Sequence, residues 1–167
     1  MNNVQIENAL RRDRTVNGVL VGIFPADCLP SPKEFPGAYI ANTEPSNMDG
    51  QHWVAFYCSN NEVGCFDSFG RNPCDYSDFI QKWLDDEYQV VQCETLQSND
   101  STVCGQYCMF FVLLRAYGFS YQDILSALTT DSSVNDEFVC RFINRFFKLS
   151  TTIKDKKFLL SKLEKKT

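Results

Sequence analysis

A chain of 167 residues that is 44% hydrophobic, 14% aromatic and 22% charged buries a core without disulfide or metal staples. Its net charge of −5 argues against a body that grips nucleic acid by bulk charge, because phosphate binding needs clustered Lys and Arg. The N-terminus, MNNVQIENALRRDR, lacks the apolar stretch of a signal peptide, and no run of about 18 apolar residues marks a membrane span. An intracellular protein, not secreted and with no membrane partner, is expected.

Residues 1–14 read as a short charged helix. Residues 16–36, with Pro25, Pro30, Pro32 and Pro36, read as an irregular connection. Residues 38–42 (AYIAN) form a buried strand, and 43–50 (TEPSNMDG) a loop. Residues 52–57 (HWVAFY) and 63–67 (VGCFD) pair as a β-hairpin around the turn-favouring Asn60 and Asn61. Tyr76, Phe79, Ile80, Trp83 and Leu84 recur at helical spacing over 75–87, with Asp75 or Ser77 as caps. A strand follows at 88–94, then a polar loop at 96–102. Residues 103–119 are apolar almost all round and read as a buried central helix. Two amphipathic helices follow at 121–129 and 135–149. Strands followed by a helical cluster predict an α+β fold.

One domain is expected over 1–150, with a basic tail over 151–167. From Lys154 to Thr167 six lysines face only Asp155 and Glu164. The tail reads as a solvated, frayed helix; the alternative is a weak contact to nucleic acid or to a partner.

The eight cysteines, Cys28, Cys58, Cys65, Cys74, Cys93, Cys104, Cys108 and Cys140, include no C-x-x-C pair, and His52 is the only histidine. Structural zinc is therefore not expected, and the cysteines read as free thiols used as small hydrophobes.

Three pieces carry chemistry. The first is the hairpin. An even loop puts His52 and Asp67 on one sheet face, directly opposite with a four-residue loop and diagonal with a two-residue turn. A carboxylate on one imidazole nitrogen fixes the tautomer and leaves the other nitrogen to face a nucleophile. The same pair also fits a histidine satisfied by a neighbouring carboxylate. The second is Cys104, in the first turn of the central helix behind the potential caps Ser101 and Thr102. Unpaired N–H groups and the helix dipole favour thiolate there. Gly105 beside it leaves room for a substrate backbone. An inert buried cysteine is the alternative, and Cys108 reads as one. The third is Gln97, seven residues before Cys104, either a side-chain donor for an oxyanion or an ordinary loop glutamine. Trp53 alternates to the face opposite His52 and reads as packing, with a place beside the substrate as the alternative.

The segments G-Q-H-W-V-A-F-Y, F-D-S-F-G and L-Q-S-N-D-S-T-V-C-G-Q-Y-C, in the order His, acid, Gln, Cys, resemble the adenovirus maturation protease (adenain) family and its virus-like and Polinton/Maverick relatives. Y-I-A-N-T-E-P-S-N-M-D-G resembles the approach to that family's histidine. The likeness spans roughly Gly18 to Phe147, with Asp67 where the adenovirus enzyme has Glu. It implies a papain-like fold, with a mixed sheet and a central active-site helix. It also implies a cysteine endopeptidase with His52, Asp67, Gln97 and Cys104 as catalytic residues and Trp53 and Gly105 beside the substrate. Implied partners are a protein or polyprotein substrate, an activating peptide and DNA, with packaging in virions; the residues themselves require no cofactor. The related ubiquitin-like-protein proteases share the layout. A deubiquitinase, or an inactive binding module, are the alternatives.

Overall fold

A computed structural model describes residues 2–31, 33–59, 62–84, 88–90, 94–148 and 153–164. The architecture is α+β. Among the described residues five strands form one mixed sheet in the order β1 (Leu20–Phe24), β2 (Gly37–Asn42), β3 (Trp53–Ser59), β4 (Glu62–Phe66) and β5 (Tyr88–Val90). The β2–β3 and β3–β4 pairs are antiparallel, while β1 and β5 join the two sides in parallel.

β1 lies inside the stretch that reads as irregular in sequence. Gly22 and the nearby prolines hide its strand character, and its register slips between Leu20 and Gly22. The helix expected over 1–14 is two: α1 (Asn3–Arg11) and a short α2 (Arg14–Asn17), whose first N–H groups are capped by Asp13.

β2 and β3 are apolar on both faces because both faces are covered. On one face Ala38, Ile40, Ala55, Tyr57 and Phe66 join a core built on α4 (Cys104–Ala116). Every α4 residue from Tyr107 to Leu114 is buried, which accounts for its all-round hydrophobicity. Phe111 stacks on Phe66 with ring centroids 4.6 Å apart. Removing such a ring costs roughly 3–5 kcal/mol. α1, α5 (Tyr121–Ser126), α6 (Ser132–Lys148) and α7 (Ile153–Glu164) contribute to the same core. On the other face Tyr39, Val54, Phe56 and Cys65 pack with Ile80, Trp83 and Leu84 of α3 (Asp78–Leu84).

Two further expectations need correction. α3 begins at Asp78, so Tyr76 lies before the helix; a 3-10 turn over Pro73–Asp75, capped by Asn72, intervenes. The C-terminal segment is not a solvated tail throughout. α7 buries Leu159, Leu160 and Leu163 in the main core. Lys156 Nζ donates to the buried Asp13 carboxylate at 2.7 Å and lies 4.7 Å from the Phe146 ring centroid. The tail residues 149–152 and 165–167 lie outside the described set.

Candidate active site

The site lies where β3 and β4 run out beside the start of α4. Register pairs Ser59 with Glu62 and Ala55 with Phe66, so two residues, Asn60 and Asn61, separate the strands. That selects the diagonal arrangement: His52 precedes β3 by one residue and Asp67 follows β4 by one. Leaving the ladder frees both side chains to turn toward each other. His52 Nε2 lies 2.7 Å from Asp67 Oδ1, with both residues only 2% exposed.

Asp67 is held in place from several sides. Oδ1 also accepts the Phe69 N–H at 2.7 Å, and Oδ2 accepts the Tyr76 hydroxyl at 2.8 Å. The Gly70 N–H closes the turn onto Asp67 O at 2.9 Å, and Gly70 takes the left-handed φ of 67° that favours glycine. The turn sets the Phe69 ring 4.8 Å from the imidazole, centroid to centroid. Tyr76 and Phe69 belong to the surroundings of the acid although sequence spacing assigned Tyr76 to a helix face. The Asn72-Pro73 turn was the signal that the helix had not yet begun.

With Nε2 on the carboxylate, Nδ1 is the ring nitrogen left over, and it makes no close hydrogen bond among the described residues. The Cys104 thiol is the group beside the ring. Burial pushes the imidazole pKa down, but the hydrogen bond to Asp67 and the interaction with Cys104 outweigh it and raise it above 6.5. Burial likewise pushes the thiol up, yet His52 and the main chain of Trp53 and Gly105 bring it below 9.0. Each partner favours the charged form of the other. Burial moves other thiols the opposite way: Cys58 rises to about 11, and Cys65, Cys108 and Cys140 also rise.

Cys104 opens α4, but neither expected cap is used. Val103 occupies the N-cap with no side-chain hydrogen bond, so the N–H groups of the first turn are not taken by a capping side chain. Gly105 is buried. A Cβ there would meet Ile6 Cδ1 of α1 at 2.9 Å and Trp53 Cδ1 at 3.8 Å. The space expected for a substrate backbone is filled from within, and the glycine admits α1 instead. Trp53 is half-buried against the main core.

Gln97 is fully buried in the loop before α4. Its Nε2 donates to Ser101 O at 2.9 Å and its Oε1 accepts the Ser68 hydroxyl at 2.7 Å. The loop is fastened from α4 and α6: Tyr107 Oη and Asn135 Nδ2 both donate to Leu96 O, at 2.8 and 3.1 Å. The structure thus brings His52, Asp67 and Cys104 into one buried group and holds Gln97 next to the same turn through Ser68.

Among the described residues no group of three His, Cys, Asp or Glu side chains is arranged to hold a metal, and the seven described cysteines are free thiols. No described helix is long and apolar enough to cross a membrane.

No family model and no curated protein matches the chain. Among solved structures, the selenomethionine crystal structure of the ASFV pS273R protease is similar to it, with a TM-score of 0.45 and 22% identity. The match covers 61% of this chain and 43% of that one, less than half the length of the matched protein.

Proposed function

We propose that the chain is a cysteine endopeptidase in which Cys104 is the nucleophile, His52 the base, Asp67 the orienting acid and Gln97 a donor to the oxyanion. The observation that carries this reading is the buried His52–Asp67 pair at 2.7 Å beside a thiol at the start of α4, with imidazole and thiol each shifted toward its charged form. An inert buried cysteine has no such partner.

In this mechanism the Cys104 thiolate attacks the carbonyl carbon of a peptide bond. The Cys104 N–H and the Gln97 amide hold the developing oxyanion. The His52 imidazolium, steadied by Asp67, gives its proton to the departing amine. Water then attacks the thioester, with His52 as base, and frees the thiolate.

The substrate we propose is a viral or virus-like structural precursor cut after small residues such as Gly. Cys104 is 9% exposed while His52 and Gln97 are nearly or fully covered, and a nucleophile with so little access suits a slim main chain. Trp53, half-buried at the Gly105 end of the site, is the residue we place along that main chain.

Gly-containing precursor peptides and ubiquitin carrying a C-terminal fluorophore, each offered to the native chain and to Cys104→Ser, test the assignment. Cleavage of the peptides by the native chain alone is expected. Cleavage of the ubiquitin substrate alone would move the chain to the deubiquitinases. Turnover that survives in Cys104→Ser would contradict the assignment of the nucleophile.

A further inference from the structure

The segment that supplies the acid also reaches the oxyanion side of the site through its next residue. Asp67 bonds His52, and Ser68 bonds Gln97. Ser68 is 1% exposed and Gln97 is fully buried. The bonding runs in both directions: the Ser68 hydroxyl donates to Gln97 Oε1 at 2.7 Å, while Ser68 O accepts the N–H groups of Leu96 and Gln97 at 2.9 and 3.0 Å.

The orientation of the Gln97 amide follows from these partners. Ser101 O only accepts, so the amide atom facing it at 2.9 Å must be Nε2. Oε1 then faces Ser68, whose hydroxyl has a proton to give. An amide nitrogen carries two hydrogens, and Ser101 uses one. With Oε1 and one N–H fixed, the second N–H has a single direction left in the amide plane. Without the Ser68 hydroxyl, Oε1 would be a buried acceptor with no donor, and the amide would lose one of the two contacts that fix its plane.

We infer that Ser68 is a positioning residue for the oxyanion donor, acting through Gln97. The inference rests on the reading of Gln97 as that donor. It makes Asp67-Ser68 one rigid dipeptide that orients the base with its first side chain and the oxyanion amide with its second.

Two probes of Cys104 separate this role from general support of the fold. Iodoacetamide reacts by displacement at a saturated carbon: the thiolate forms a C–S bond and iodide leaves, with no oxyanion. p-Nitrophenyl acetate is attacked at its carbonyl: the oxygen becomes an oxyanion, p-nitrophenolate leaves, and an acetyl thioester stays on Cys104. Both need the thiolate, and only the second needs the oxyanion donor.

The proteins to compare are the native chain, Ser68→Ala, Ser68→Thr, Gln97→Ala and the Ser68→Ala/Gln97→Ala double variant. We expect the acetylation burst to slow about tenfold or more in Ser68→Ala and in Gln97→Ala. The double variant should be no slower than Gln97→Ala, Ser68→Thr should recover most of the rate, and the pH profile of alkylation should stay in place throughout. If Gln97→Ala is slow but Ser68→Ala acetylates normally, the Ser68 inference is wrong while the Gln97 reading stands. If Gln97→Ala acetylates normally, the oxyanion reading itself fails and takes the inference with it. If Ser68→Ala slows alkylation and acetylation alike, Ser68 supports the dyad or the fold, and the inference is overturned.

Discussion

Tyr76 donates its hydroxyl to Asp67 Oδ2 at 2.8 Å, on the carboxylate oxygen opposite the one that holds His52. Burial, then the neighbouring Cys65 and Asp67, push the Tyr76 hydroxyl far above its ordinary range, so it remains a donor. The acid is thereby clamped at both oxygens. In Tyr76→Phe the donor to Oδ2 is gone and the acid's charge is less dispersed. The imidazolium should then be better stabilised, and the imidazole pKa should move up. Leaving a buried carboxylate oxygen short of its donor should cost roughly 1–3 kcal/mol in stability. Urea denaturation and a histidine NMR titration measure the two effects; an unchanged denaturation midpoint would remove the clamp.

Gly105 is small because α1 packs against it. The added Cβ of Gly105→Ala would lie 2.9 Å from Ile6 Cδ1 in a fully buried contact, and overpacking of this kind costs roughly 1–3 kcal/mol. Ile6→Val removes that terminal methyl. The Gly105→Ala/Ile6→Val pair should therefore be more stable than the sum of the two single variants. Strict additivity in denaturation would show that α1 and the start of α4 do not share this contact.

The docking of α7 has a pH signature. Burial raises the Asp13 pKa, but the Lys156 hydrogen bond, the Val16 N–H and Tyr117 together bring it below 3.8. A carboxylate lowered on folding stabilises the native state above its unfolded pKa and loses that contribution as pH falls through the folded value. Lys156→Met should cost roughly 1–3 kcal/mol at pH 7, leaving a buried carboxylate without its cation. The gap from the native chain should close as pH falls below about 4. A gap independent of pH would assign the loss to packing on Phe146.

His52 sits immediately before β3 and Cys104 at the start of α4, with the 67–70 turn holding the acid, and we take that positioning as sufficient. Alkylation of Cys104 should therefore be as fast in the bare chain as with added DNA or candidate activating peptides. An increase of tenfold or more on addition would show that the site is completed from outside.

What the sequence reveals depends on how local the determinant is. His52, Asp67, Gln97 and Cys104 sit in short segments whose residue types and order carry the proposed chemistry, and the hairpin parity needs only the turn length. Tyr76 and Ser68 were invisible for a different reason. Both are tied to the site by hydrogen bonds to residues distant in sequence, Tyr76 across a 3-10 turn and Ser68 across 29 residues. β1 escaped because a strand paired in parallel to β2 needs no hairpin signal, and Gly22 blurs its alternation. The lysine content of the C-terminus masked Leu159, Leu160 and Leu163, three leucines at helical spacing that the core takes in.

The most direct test of the account is the pH dependence of iodoacetamide alkylation at Cys104, followed by mass spectrometry in the native chain and in His52→Ala. The account predicts that Cys104 labels ahead of the other thiols at pH 7, with an inflection below the free-thiol value of about 8.5. His52→Ala should shift that inflection up and remove the advantage at neutral pH. If Cys104 in the native chain labels no faster than exposed Cys28 or Cys74, or labels fast without His52, there is no Cys104–His52 pair and the proposed mechanism is wrong.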